Sequence, residues 1–282
     1  MNKQIVSLFL FILMFLGLSG QQNEVHKLDS IHDNTAFTPG EYLQYKVKYG
    51  FISGGIAEMR IDMEPIGYDW YYHVIAIART SGVVGALANV HDRYESYFDI
   101  TTGLPIKAVR DIREGGYTRY NEVLFRRWEN TVLSLRSGTH PVPPNTMDIL
   151  SSFYYARKYI FKNEFKKNDV IKLTTYFDDK LYDVQIRYKE TKTVRTEFGK
   201  LECLRFVPVL DAESPFKKEE DMQVWFTNDG NFIPVRIRMD MPVGSVKCDL
   251  TNYKNVKNAF GVPYVRPEKV EDKKVEDKKE KE

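Results

Sequence analysis

Between Gly40 and Ile61 the chain reads GEYLQYKVKYGFISGGIAEMRI, with apolar residues at every second position on either side of a glycine cluster. Leu43, Tyr45, Val47 and Tyr49 share one face of an extended segment while Gln44, Lys46 and Lys48 share the other, the period of a strand with one buried side. Past the glycines the alternation resumes, with Ala57, Met59, Ile61 and Met63 set against Glu58, Arg60, Asp62 and Glu64. The pattern predicts a hairpin in which Gly50, Gly54 and Gly55 supply positive φ values and close backbone approach.

The same rhythm continues through most of the chain. Strands are predicted at YYHVIAIART, DRYESYFDI, Ile106 to Glu114, TRYNEVLFRRW and TVLSLR, punctuated by turns at TTGLP and Gly115–Gly116. NDVIKLTTYF and LYDVQIRYK flank a turn at Asp178–Asp179, and Tyr182, Val184, Ile186 and Tyr188 fall on one face. KLECLRFVPV is a further strand, QVWFTNDGNFIPVRIRM a second hairpin about Asn228–Asn231, and GSVKCDLTNY the last strand. Pro234 cannot donate to a ladder, which predicts an edge or bulge position. One segment departs from the period of two. In HPVPPNTMDILSSFYYARKYIF, Ile149, Leu150, Phe153, Tyr154, Arg157 and Ile160 recur at helical spacing behind a cap at Thr146 or Asp148. This predicts one helix over 147–159 that divides the strands into two groups and braces or plugs them.

The chain ends read differently. Residues 1–20 carry Lys3, an apolar run from Ile5 to Leu18 and then Ser19 and Gly20, the layout of a secretory signal peptide. The run is shorter than the roughly 20 residues a membrane span needs, so no transmembrane segment is expected in the mature protein. Leu18 fits the small-x-small cleavage preference poorly, which leaves an uncleaved anchor as the alternative. Residues 21–34 form a flexible lead-in, 35–260 a single β-barrel-like domain, and 261–282 a charged disordered tail in which Lys, Glu and Asp alternate with only Val as an apolar type from Glu268 onward. About 260 residues remain after cleavage, enough for one large all-β domain or two small ones. With 41 basic and 39 acidic residues the net charge is only +2, so bulk charge points to no nucleic-acid partner. The expected location is the periplasm or another exported compartment. There, Cys203 and Cys248 either form a disulfide or remain two separate buried thiols.

The segments GEYLQYKVKYGFISGGIAEM, VHDRYESYFD, MDILSSFYYAR, GKLECLRFVPVL and VWFTNDGNFIPVRI, in that order over roughly residues 35 to 255, resemble the bacterial exported family known as domain of unknown function 3108. The resemblance implies an all-β fold, a large, incomplete (half-open) antiparallel β-barrel with one short helix. It implies no activity and no catalytic residue.

Motifs for catalysis are missing from the sequence. There is no GxSxG elbow and no glycine-rich phosphate loop, and Cys203 has no neighbouring His in sequence to activate it. His73 and His91 with Asp92 and Glu95 lack HxH or HExxH spacing, and carboxylate pairs such as Asp92/Glu95 or Asp178/Asp179 read as solvated surface in a chain that is 28% charged. No cofactor or metal is expected. Binding is easier to motivate: Tyr45, Tyr49, Tyr182, Tyr188 and Trp225, at 13% aromatic content overall, are the ligand-facing candidates of a curved sheet. The leading expectation is a non-enzymatic envelope protein that binds a hydrophobic or amphipathic, lipid- or glycolipid-like ligand. A structural or assembly factor that meets a protein partner through its sheet edge or tail is the alternative, and an envelope hydrolase trails. A continuous apolar cavity favours the first, a filled barrel with a large exposed apolar patch the second, and a cleft with converging His, Asp and Glu the third.

Overall fold

The computed structural model describes residues 36–82, 85, 89–209, 218–241 and 244–264. The signal-peptide and lead-in readings, and the tail beyond Tyr264, lie outside the described residues. The first eight strands are β1 (Glu41–Tyr49), β2 (Ile52–Ile66), β3 (Asp69–Thr80), β4 (His91–Asp99), β5 (Pro105–Glu114), β6 (Tyr117–Arg126), β7 (Thr131–Ser134) and β8 (Gly138–Pro141). Helix α1 (Ile149–Lys162) follows, then β9 (Val170–Phe177), β10 (Lys180–Thr196), β11 (Gly199–Pro208), β12 (Met222–Thr227), β13 (Pro234–Asp240) and β14 (Ser245–Lys254).

Sequential neighbours pair antiparallel, and β14 pairs with β1 in register from Tyr42↔Lys254 to Tyr49↔Val246. That one pairing merges the two groups of strands into a single 14-stranded sheet with β8 and β9 as its edges. The sheet curls around α1 as a half-open barrel, and its seam lies between the edges that the helical segment connects. At the seam the free edge of β9 is partly covered: Met147 N–H donates to Thr174 O at 2.8 Å and Tyr176 N–H to Met147 O at 2.7 Å.

The glycine hairpin is built otherwise than its composition suggests. Only Gly50, with φ +57°, takes the left-handed conformation, in a two-residue turn with Phe51. Gly54 and Gly55 lie within β2, where the register shifts between Val47 and Lys48, and a Cβ on Gly55 would collide with the Arg79 carbonyl oxygen of β3. Pro234 opens β13 opposite a register shift at Trp225/Phe226 and lies between β12 and β14, so it marks a bulge and not an edge.

The Asn228–Asn231 stretch makes a six-residue connection rather than a tight turn. Asp229, fully buried, accepts from the N–H groups of Asn231 (2.9 Å) and Phe232 (3.2 Å) and from Gly261 N–H (2.7 Å). A side chain at Gly230 would strike Asn258. The loop is the seat on which the chain after β14 docks.

Helix α1 spans two residues less at its start and three more at its end than its periodicity predicts. Asp148 is the cap: its carboxylate accepts from Leu150 N–H (2.8 Å) and Ser151 N–H (3.2 Å), while Ser151 Oγ accepts from Asp148 N–H (3.0 Å). Ser96 Oγ of β4 donates to the same carboxylate at 2.5 Å, which pins the helix start to the barrel wall. Burial raises the Asp148 pKa although every one of these hydrogen bonds opposes it.

Arg157 lies midway along α1 with none of its side chain exposed. Its Nη1 and Nη2 donate to the two oxygens of Glu41, the first residue of β1, at 2.6 and 2.8 Å. Nε donates to Asn231 O and Nη2 also to Ala36 O, both at 3.1 Å. Phe37, Phe153 and Tyr154 flank the guanidinium at 5.2–5.8 Å.

Cys203 and Cys248 are both free thiols, so the disulfide alternative is corrected. They sit on β11 and β14 with β12 and β13 between, three strand spacings or about 14 Å across the sheet, and Cys248 is level with Phe206 and not with Cys203, against a bridging limit of roughly 7 Å. Burial pushes the Cys203 thiol up to about 12 and the Cys248 thiol up as well.

Removing one partner of the Arg157–Glu41 pair strands a buried charge. Arg157→Met and Glu41→Gln are each expected to lower the unfolding free energy by about 3–5 kcal/mol, with the double change Glu41→Leu/Arg157→Met costing less than either single change. Chemical denaturation with fluorescence detection checks both the loss and its partial recovery.

Candidate functional site

Two apolar chambers lie between α1 and the barrel wall. The first, of about 50 Å³, is bounded by Ile149, Phe153 and Ala156 of the helix and by residues of β9, β10, β12 and β13, among them Phe177, Tyr182 and Ile237. No charged side chain among the described residues lines it; beside Tyr182, its hydroxyl-bearing residues are Ser152 and Thr175, hydrogen-bonded to each other at 2.9 Å. The second, of about 40 Å³, lies toward β1–β3 and is lined by Tyr45, Met59, Ala76 and Cys248, with Glu58 at its margin. Phe153, Pro234 and Ile237 belong to both. Well-packed cores leave few voids larger than a water, so two adjoining ones mark a place where helix and wall do not fully interdigitate.

The five aromatic candidates part company here. Tyr182 lines the first chamber and Tyr45 the second. The Tyr45 hydroxyl is buried without a hydrogen-bond partner among the described residues. Tyr188 is core: its ring packs on Phe165 and Phe206 at 5.8 and 5.5 Å and its hydroxyl meets Thr191 Oγ1 at 2.8 Å. Tyr49 is half-buried against the core beyond the chambers. Trp225 is a correction. Val224 and Phe226 line the first chamber, so the residue between them points to the opposite face, where its register partners are Arg205 and Arg236.

The histidine cluster does not converge on one site. His73 Nδ1 lies 2.7 Å from Glu64 and Nε2 2.8 Å from Glu95, with the imidazole stacked on Tyr97 at 4.0 Å. No group of three ligating side chains among the described residues could hold a metal ion. Nor does any described helix have the length and apolarity to cross a membrane.

Carboxylates meet at the rim formed by the β3–β4 and β5–β6 connections. Asp92 on the inner face of β4 is 2% exposed, accepts from Arg113 N–H at 3.1 Å and is hydrogen-bonded to Glu114. Burial raises both carboxyls, Asp92 to about 7. Glu114, His91 and Arg113 border an open recess of about 360 Å³ beside the pair. Direct contact between the two carboxyls leaves no room for the sugar oxygen and water that glycoside hydrolysis sets between its acid and base.

The family described as protein of unknown function (DUF3108) matches residues 44–251, and the chain belongs to it. No curated protein matches the chain. Among solved structures it is similar to a β-barrel-like protein with domain of unknown function DUF1849 from Brucella abortus, at 11% identity and a TM-score of 0.49, over 78% of this chain and 99% of that one. A candidate lipoprotein from Parabacteroides distasonis matches at 14% identity and a TM-score of 0.31, over 79% and 100% of the two chains. A candidate exported protein with a YmcC-like fold from Bacteroides fragilis matches at 11% identity and 0.30, over 78% and 100%.

The Asp92 carboxyl carries a pH signature. Its pKa rises from 3.8 to about 7 on folding, so between those values the native state binds more protons than the unfolded one, and stability falls as pH rises through that window. Asp92→Asn is expected to flatten this decline, read as melting temperature against pH for the two proteins.

Proposed function

We propose that this member of the DUF3108 family is an exported, non-catalytic binding protein that seats the apolar part of an amphipathic ligand under α1. The observation that carries the reading is the pair of adjoining chambers, the first of them free of charged side chains. Apolar cavities of this kind stay dry and take up apolar guests. Leu173, Thr175 and Phe177 of the edge strand β9 border the first chamber, so a guest entering at the seam meets the short Met147 bridge and not a paired strand. Since about 10–15 Å³ admits one water, the chambers hold the end of an acyl chain and leave the rest of the ligand toward the seam. Export is the reading of residues 1–20 and their apolar run.

A second reading, a protein-docking factor, draws on the tip of the β2–β3 hairpin. The hairpin runs past β1, whose register with β2 ends at Glu41↔Ile61, and exposes Ile66, Tyr68 and Trp70.

Native mass spectrometry of the mature protein from its own envelope, followed by organic extraction, is expected to find a stoichiometric acyl-chain ligand. Ala156→Phe, which fills the first chamber, is expected to weaken uptake of that ligand at least about tenfold. A protein that leaves the envelope empty and takes up no lipid on titration would falsify the binding reading, and loss of a co-purifying protein on Tyr68→Ser/Trp70→Ser would favour the second.

A further inference from the structure

The turn between β9 and β10 faces the opposite flank of the barrel across the seam. Asp178 and Asp179 both have positive φ, 49° and 63°, and the Asp178 carboxylate lies over the inner face of β5 and β6. Arg110 Nη1 donates to its Oδ1 at 2.7 Å, and Arg119 Nη2 pairs with the same oxygen. The Arg110 guanidinium lies 4.5 Å from the Phe177 ring centroid. Nε of each arginine is buried without a hydrogen-bond partner among the described residues. The two cations therefore converge on one oxygen with donor capacity unspent.

A cavity of about 50 Å³ opens beneath this cluster, bounded by Arg110, Asn121 and Tyr176 and by the carboxyl-bearing Glu95, Asp148 and Asp178. Ile149 and Phe177 line both this cavity and the first apolar chamber. A compartment lined by charged and polar side chains and an uncharged apolar one thus share a wall at the seam, the layout of a head-and-tail ligand.

We propose that Arg110 and Arg119 form the head-group site for an anionic amphiphile with a carboxylate or phosphate head, Asp178 standing in for that head in the empty protein. The inference rests on the binding reading above and specifies its ligand. The planar guanidinium fork suits either oxyanion. Besides Glu95 and Asp148 in the cavity wall, the surroundings hold further carboxyls, Asp92 and Glu114 toward Arg110 and Asp179 beside Tyr176 and Asn121. These make an added anion unfavourable, whereas an exchange in which the ligand's oxyanion replaces Asp178 keeps the charge balance. Asp178 is about one-third exposed, so solvent and ligand both reach it. Its withdrawal would also free the β9–β10 turn from both arginines, leaving the Asn121–Asp179 hydrogen bond as its tie to β6, and loosen the seam over the chamber.

Calorimetric titration of the full chain with dodecanoate, dodecyl phosphate, dodecanol and inorganic phosphate tests the proposal. Both anionic amphiphiles are expected to bind at least about tenfold more tightly than dodecanol. Arg110→Gln and Arg119→Gln are expected to bring that ratio to within about twofold, and Asp178→Asn, which releases both guanidiniums, to raise it. Circular dichroism melts establish that each variant is folded. The rank of dodecanoate against dodecyl phosphate identifies the source as a free fatty acid or a phospholipid head group. Dodecanol binding as tightly as dodecanoate overturns the head-group site and leaves the binding reading standing; no binding of any amphiphile overturns both. Inorganic phosphate binding as tightly as dodecyl phosphate also overturns the proposal, since the site would then be uncoupled from the chamber.

Discussion

The barrel is organised around a buried ion pair. Arg157 reaches from the middle of α1 to the first residue of β1, to Ala36 before it and to Asn231 in the connection ahead of β13, and four donated hydrogen bonds consume most of what a guanidinium offers. A charge in this position is tolerated because it is bidentate and wrapped by aromatic faces; unpaired, it would cost several kcal/mol. Its directional demands fix where the helix sits along the barrel and how it is rotated, which nondirectional apolar packing alone does not do. Glu41 in turn adjoins the β1–β14 pairing that turns two runs of strands into one sheet.

With the helix held at Arg157 and at Asp148, its near-complete burial follows. Ser151, Ser152, Ala156, Lys158 and Ile160 are all below one-tenth exposed, so α1 lies inside the curl instead of covering a face. A cylinder inside a wider half-open barrel cannot contact every strand equally. It packs against β4 and β9, and the chambers lie where the wall from β10 to β13 and from β1 to β3 stands away from it. The site is therefore a consequence of the same constraint that holds the fold.

The inner surface is not uniform. Along β10–β14 and β1–β3 it is apolar, whereas β4–β6 turn Asp92, Arg110, Glu114, Arg119 and Asn121 inward near the rim. Such groups are kept inside a barrel only when paired: Asp92 and Glu114 meet each other, while Arg110, Arg119 and Asn121 find partners in the β9–β10 turn across the seam. Opening that seam exchanges ion pairs and the short Met147 bridge on β9 instead of a full strand ladder.

The sequence by itself determined nearly every strand, since a period of two with one apolar face is a local property that survives into any sheet; β8, four residues of Gly138–Pro141, carries too little pattern to be read. It also determined helix α1 and the family. The places of Tyr45 and Tyr182 on the chamber walls follow from the same alternation, and the phase of Trp225, between Val224 and Phe226, turns it away from the first chamber. Arg110 and Arg119 were legible in principle, each being in phase with inward apolar residues, Ile112 and Phe125, but charged residues on a strand are ordinarily its wet side. Only the tertiary structure decided that β1 pairs with β14, that the cysteines lie two strands too far apart to bridge, that Asn228–Asn231 seats the chain after β14, and that Asp178 meets two arginines. Each of those depends on residues tens to hundreds of positions apart, and no local period carries such a distance.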